Sequence, residues 1–258
     1  MEETLDTTTT QKIVPAKQIP YLQPGVGVRP RQAPQKPDTR RGIRPIPKRD
    51  RANSHALYER CRQVCLSAFF REHAPVRSLG FTSSVGGEGK SFLSIMTAQV
   101  LADDSTNPVI LLECNWENPN LHKYFGFAPT PGLAEWLRGE CSKEIIYHKI
   151  GRNLTIIPAG NGRQDAVKLV QQIRQTGLLD MFACSNELLV VDLPTVVTTA
   201  YGAFAASLVE SLLIVVCAGA TPEALIAETS ALLKDLPVQG VVLNQIESSI
   251  PRWIRRML

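Results

Sequence analysis

The chain lacks several features that would announce a function at sight. Its six cysteines, at positions 61, 65, 114, 141, 184 and 217, form no C-x-x-C pair, and its four histidines form no H-E-x-x-H pattern. A zinc ribbon and a zincin-type centre are thereby excluded. Cys61 and Cys65 stand one helical turn apart, but neither a histidine nor a further cysteine lies at ligand spacing. Cysteines so scattered, several inside apolar runs, point to reduced thiols and not to a disulfide framework. A membrane-spanning stretch is missing too: the longest apolar run, LLIVVCAGA at 212–220, is about half of the ~20 residues required. The first residues, MEETLDTTTTQK, have no apolar core of the kind a secretory signal needs. A cytoplasmic protein is expected.

What is present is divided unevenly. The net charge is +4, yet residues 1–53 alone hold eleven Lys/Arg against five Asp/Glu, which leaves 17 basic and 19 acidic residues for 54–258. The first 52 residues also carry eight prolines and a threonine run. Such a stretch buries too little apolar surface to offset its ordering entropy, so residues 1–52 are read as a disordered, basic, Pro-rich arm. It is either a solvated tether or an electrostatic contact for an acidic partner or anionic lipid.

From residue 53 the pattern is that of a folded domain running to 258. HALYERCRQVCLSAFF has apolar residues at helical spacing. After it VRSLGFTSS, NPVILLE, NLTIIPAG, ELLVVDLP, SLLIVVCAG and QGVVLNQIE read as strands. SFLSIMTAQVLADD, GLAEWLRGE, AVKLVQQIRQTGLLDMF, YGAFAASLVE and PEALIAETSALLKDL read as the helices between them. Continuously apolar strands alternating with helices predict one α/β domain, its sheet mostly parallel and covered on both faces.

Between the first strand and its helix lies SVGGEGKS, residues 84–91. Glycines without a Cβ let backbone N–H groups converge on phosphate oxygens. Lys90 can reach the β- and γ-phosphates, and Ser91 can ligate Mg²⁺ at a helix N-terminus whose dipole favours anions. The motif G-x-x-x-x-G-K-[ST] has Ser84 in place of its first glycine. Residues Gly86, Gly87, Glu88, Gly89, Lys90, Ser91 and Phe92 are therefore the expected nucleotide-binding segment. Downstream, ELLVVDLP brings Asp192 to the end of an apolar strand, where a carboxylate beside Mg²⁺ is expected; the bland alternative is a turn aspartate. VILLECNWENPNLH, residues 109–122, ends another apolar strand in Glu113, Cys114 and Asn115. A thiol nucleophile there needs an activating base and a low pKa, so Cys114 is read as a packed core thiol.

These segments together resemble the bacterial tyrosine kinases of the CpsD/CapB type, P-loop proteins of the MinD/ParA-like class, over about residues 56–245. The resemblance implies ATP and Mg²⁺ as cofactors, Lys90, Glu113 and Asp192 as catalytic residues, and Ser91 and Asp192, with Glu113 as a further candidate, as metal ligands. It further implies a membrane polysaccharide co-polymerase or activator as partner, a homo-oligomer, and a place at the inner face of the plasma membrane in capsule and exopolysaccharide export. Nucleic acid is not expected. Partitioning ATPases carry a signature lysine where this chain has Ser84, which favours the kinase-like branch. The family's second acidic motif, hhhDxDxRxPxLH, is rewritten here: Glu113, Asn115 and Glu117 stand for its two aspartates and its arginine, while Asn120, Leu121, His122, Phe125 and Gly126 keep the pattern. Glu113 is expected to face the phosphates with Cys114 behind it. In the Walker B segment Asp192 and Pro194 match, and Leu193 and Thr195 depart. The charged positions of the family's oligomerisation motif, ExxRxxR, fall on Ala56, Glu59 and Arg62, of which only Arg62 is kept, with Tyr58 in the aromatic place. The family's tyrosine-rich tail has no counterpart, since no tyrosine follows Tyr201. Kinase activity is therefore expected to be weakened or lost. Two other readings stay open: a MinD/ParA-like ATPase switch, and a non-catalytic scaffold. The last residues, IPRWIRRML, are read either as a membrane-surface or partner contact or as a packed terminal helix.

Overall fold

The structure is a computed structural model and describes residues 51–184 and 186–245; the expected arm and the last residues, 246–258, lie outside it, apart from the first helical turn at Arg51. In chain order the elements are α1 (Arg51–Phe69), β1 (Ser78–Ser83), α2 (Lys90–Asp104), β2 (Val109–Glu113), α3 (Leu121–Phe125), α4 (Leu133–Leu137), α5 (Lys143–Ile146), β3 (His148–Ile150), β4 (Leu154–Ile157), α6 (Ala166–Thr176), α7 (Leu178–Cys184), β5 (Leu188–Asp192), α8 (Gly202–Ala206), β6 (Ser211–Cys217), α9 (Glu223–Leu232) and β7 (Val238–Asn244). The strands form a seven-stranded sheet in the order β3-β4-β2-β5-β1-β6-β7. Every pairing is parallel except β3 with β4.

The apolar strands are explained by burial on both sides. In β2, Val109 and Leu111 pack into one cluster while Ile110 and Leu112 pack into the other, and in β5 Leu188 and Val190 separate from Leu189 and Val191 in the same way. One cluster is completed by α1 and α2, through Cys61, Cys65, Ala68 and Leu101; the other by α4, α6, α7 and α8, through Leu133, Leu169, Leu178 and Ala205. The α/β architecture with both faces covered agrees with the sequence reading.

Two departures have local causes. The segment read as one helix from Ala166 to Phe182 is two, because Gly177 takes a left-handed φ of 61° and ends α6. The short antiparallel strand β3 is half-buried and only three residues long, too short for a periodic signal. On the other face Arg62 ties α1 to α2: its guanidinium forks onto Asp104 at 2.6 and 3.1 Å, also meets Glu59 at 2.6 Å, and stacks over the Tyr58 ring.

Strand order decides where the site lies. The loops after β1, β2 and β5 leave the same end of the sheet, and β5 sits between β1 and β2. That end, with phosphate-friendly amides from a loop and acids from two neighbouring strands, is where ligands bind in open parallel sheets.

Candidate functional site

The loop after β1 is built around two left-handed glycines, Gly87 at φ 90° and Gly89 at φ 92°. At Gly89 a Cβ would stand 2.1 Å from the Asn244 side-chain nitrogen, so the loop can pass beneath the end of β7 only with glycine there. Asn244 also donates to the Glu88 carbonyl at 2.9 Å. The Glu88 side chain turns away from the loop's mouth: one carboxylate oxygen accepts from the Val85 amide at 2.8 Å, and the other from the Cys217 amide and the Thr221 hydroxyl. Glu88 thus braces the loop against β6. Ser84 is fully buried, and its hydroxyl accepts from Thr229 of α9 at 2.8 Å.

Lys90 is the first residue of α2, and its ammonium lies 3.1 Å from Asp192 Oδ1 in a buried ion pair. Asp192 is the last residue of β5 and is fully buried. Its second oxygen, Oδ2, is buried without a hydrogen-bond partner. A carboxylate oxygen left open in the interior is costly unless a cation or water meets it. With the Ser91 hydroxyl nearby on α2, this donor set fits a hard cation that keeps part of its water shell and shares phosphate oxygens. It does not fit an all-protein metal cage, and among the described residues no group of three His, Cys, Asp or Glu side chains could hold one.

Beside these residues is a cavity of about 390 Å³. Gly86, Gly87, Gly89, Lys90, Ser91 and Phe92 line it from the phosphate loop. Asn115, Glu117, Asn118 and Asn120 line it from the loop after β2, and Thr195, Thr198 and Thr199 from the loop after β5. The Thr195 hydroxyl is shared with those of Thr198 and Thr199 at 2.7 and 2.8 Å. The threonines and Asn118 were not among the site residues expected from sequence. For the threonines the only signal was the run TVVTT directly after VVDLP. Glu88, Glu113 and Asp192 do not line the cavity.

Glu113, expected to face the phosphates, is placed otherwise. It ends β2 opposite Asp192 of β5, fully buried. Its Oε1 accepts from the Asn120 and Leu121 amides at 2.6 and 3.0 Å, and its Oε2 from the Ala159 amide at 3.0 Å. Burial first, and then the neighbouring Asp192 charge, raise its pKa to about 7 in spite of those three donors. The physical reason for the placement is length: a glutamate reaches one methylene beyond the strand end, far enough to meet amides of two other segments. Cys114 behind it is fully buried, and burial together with the two acids raises its thiol pKa far above the range of a reactive cysteine. Asn115 donates to the Asn118 carbonyl at 3.1 Å, and Glu117 pairs with Arg163 at 3.0 Å at the surface.

No protein-family model matches the chain. Among curated proteins it is 29% identical over 175 residues to EpsB of Ralstonia solanacearum, provisionally named a tyrosine-protein kinase, covering 67% of this chain and 23% of that one. It is also 29% identical over 177 residues to the succinoglycan biosynthesis transport protein ExoP of Rhizobium meliloti, covering 66% of this chain and 22% of that one. The chain thus spans less than a quarter of the length of these relatives. Among solved structures, the kinase domain of the Escherichia coli tyrosine kinase ETK superposes with a TM-score of 0.65 at 20% identity, over 75% of this chain and 79% of that one. An ATP complex of McdA from Cyanothece superposes with a TM-score of 0.54 at 17% identity, over 65% and 69%. The chain is therefore similar in sequence to bacterial tyrosine-protein kinases, on a P-loop fold that their kinase domains share with ParA-type ATPases.

Proposed function

We propose that the domain binds Mg·ATP and serves as the nucleotide-binding part of a tyrosine-kinase system for exopolysaccharide synthesis and export, with kinase activity reduced or lost. The observation that carries this is the phosphate loop itself: left-handed Gly87 and Gly89, Lys90 at the head of a fifteen-residue helix, and Asp192 3.1 Å from its ammonium. Lys90 and the loop amides would hold the phosphates, while Ser91 and Asp192 would hold Mg²⁺, which supplies charge neutralisation on the phosphoryl oxygens. A P-loop site of this kind neutralises and positions charge, so binding can survive while transfer suffers. The loop after β2 supports the reduced-activity reading: Asn115 is neutral, Glu117 places an acid in the cavity lining, and the Glu113 carboxylate is taken up by amides. By the same resemblance, the partner would be a membrane polysaccharide co-polymerase and the protein a homo-oligomer at the cytoplasmic face of the membrane. Among the described residues no helix is long and apolar enough to cross a membrane.

Calorimetry with Mg·ATP and Mg·ADP tests the core of the proposal. Wild type is expected to bind, and Lys90→Ala to bind at least about tenfold more weakly, because a charge-assisted phosphate contact is lost. Equal affinity of the two would overturn it. A phosphotyrosine immunoblot with the membrane partner then decides how much transfer remains.

A second reading, an ATP-driven switch without kinase activity, is favoured by the likeness to the McdA–ATP complex. Against it stands Ser84, buried on Thr229 where a cation would have to reach across a dimer. ATP-dependent dimerisation by light scattering, without phosphotyrosine, would decide for the switch. Failure to bind either nucleotide would leave the fold as a scaffold.

A further inference from the structure

We infer that Glu113 is a positioning residue that ties down the cavity-lining loop Cys114–Asn120, and is not a ligand of the metal. The inference rests on the nucleotide-site reading above and assigns this acid a task of its own.

Glu113 begins that loop and its own side chain closes it. One carboxylate oxygen takes the amides of Asn120 and Leu121, where the loop ends and α3 starts. The other takes the Ala159 amide, on the turn that follows β4. Ala159 is held from its other side as well: the Trp116 indole donates to its carbonyl at 2.9 Å, and so does the Ala134 amide at 3.0 Å. Trp116 is itself buried, and its pyrrole edge leaves no room for a Cβ at Gly162. The loop is thus pinned at its two ends and in its middle, and Asn115, Glu117, Asn118 and Asn120 are the residues it presents to the cavity.

Two further facts separate a clamp from a ligand. A carboxylate offers about four acceptor directions, and three of them are occupied by backbone amides. The buried ammonium of Lys90 is paired with Asp192 and not with Glu113, so the acid aligned with the phosphate loop is the one on β5. A shorter aspartate would not span from β2 to both Asn120 and Ala159, which gives the glutamate at this position a physical purpose.

The test measures affinity for ATP by calorimetry, once with Mg²⁺ and once with EDTA, for wild type, Glu113→Gln and Glu113→Asp. Amide exchange by NMR is followed in parallel. For both variants the expected loss is about tenfold, the size typical of a lost supporting contact, and equal with and without the metal. Exchange at Asn120, Leu121 and Ala159 should quicken about tenfold or more, while amides of β5 and β6 keep their protection. A loss confined to the Mg²⁺ condition makes Glu113 a ligand and overturns the inference. So does unchanged affinity, or a loosening that extends to β5 and β6. Should Glu113→Gln not fold, Trp116→Phe removes the indole contact to Ala159 together with its packing at Gly162, and must quicken exchange at Ala159 while β5 and β6 keep their protection; an unchanged Ala159 amide is equally fatal. If wild type binds no nucleotide, the proposed function falls, while the three amides still report whether the clamp exists.

Discussion

Glu113 and Asp192 end neighbouring strands in register, both without exposure to solvent, and only Asp192 has a cation beside it. Burial, and then the Asp192 charge, raise the Glu113 pKa to about 7 from the 4.5 of a free glutamate. The folded chain therefore holds this proton more tightly than the unfolded chain does. The stability that Glu113 contributes is fully present below pH 4.5 and is lost as pH rises through 7. The displacement amounts to about 3 kcal/mol between those limits. Urea denaturation of the nucleotide-free, Mg²⁺-free protein at pH 5, 6, 7 and 8 is expected to show wild type losing stability relative to Glu113→Gln across this range. Parallel curves for the two would refute it. At this scale the sequence was legible where a residue type has one use. Glycines before Lys-Ser were read as a loop whose backbone approaches phosphate, and Gly87 and Gly89 take the left-handed φ that such a loop needs. It was illegible where a side chain had several uses, because nothing in VILLECN says that the glutamate will find three amides before it finds a phosphate.

Whole strands and helices followed their periodicity, since continuous apolar runs can be satisfied only between two covered faces. The failures are short or interrupted elements. Helix α3 is five residues long, α5 four and β3 three, lengths at which tertiary contacts outweigh any pattern. The break between α6 and α7 did have a signal, Gly177 after Thr176, overridden by the helical spacing on either side. Its left-handed φ of 61° makes a second prediction: Gly177→Ala should cost about 1 kcal/mol through backbone strain, lowering the melting temperature by about 3 °C. An unchanged or raised melting temperature in differential scanning calorimetry would show that the helices can merge without penalty. The cavity-lining threonines belong here too. Thr195, Thr198 and Thr199 reach the site because the loop after β5 turns back under the phosphate loop, with the Val196 and Val197 amides donating to the Ser83 and Ser84 carbonyls.

For the molecule as a whole, the scattered cysteines were read as reduced thiols, and the five whose surroundings are described are free. Cys61, Cys65 and Cys114 are buried, while Cys141 and Cys217 are partly exposed. Thiol labelling of the native protein, mapped by mass spectrometry, should therefore modify Cys141 and Cys217 and spare the other three until denaturant is added. Native labelling of Cys114 would contradict the packing of β2. The strand order has a consequence in time as well as in space. Lys90 and Asp192 are 102 residues apart, and β5, the strand that joins β1 to β2, is made long after both. During synthesis β1 and its phosphate loop must wait, unpaired, apart from the sheet of β2, β4 and β3 until β5 bridges them. ATP can then assist only steps that follow the making of β5, and a chain interrupted before it would leave the ribosome as a lone β1 strand and a three-stranded sheet of β2, β4 and β3, with half of the phosphate site missing.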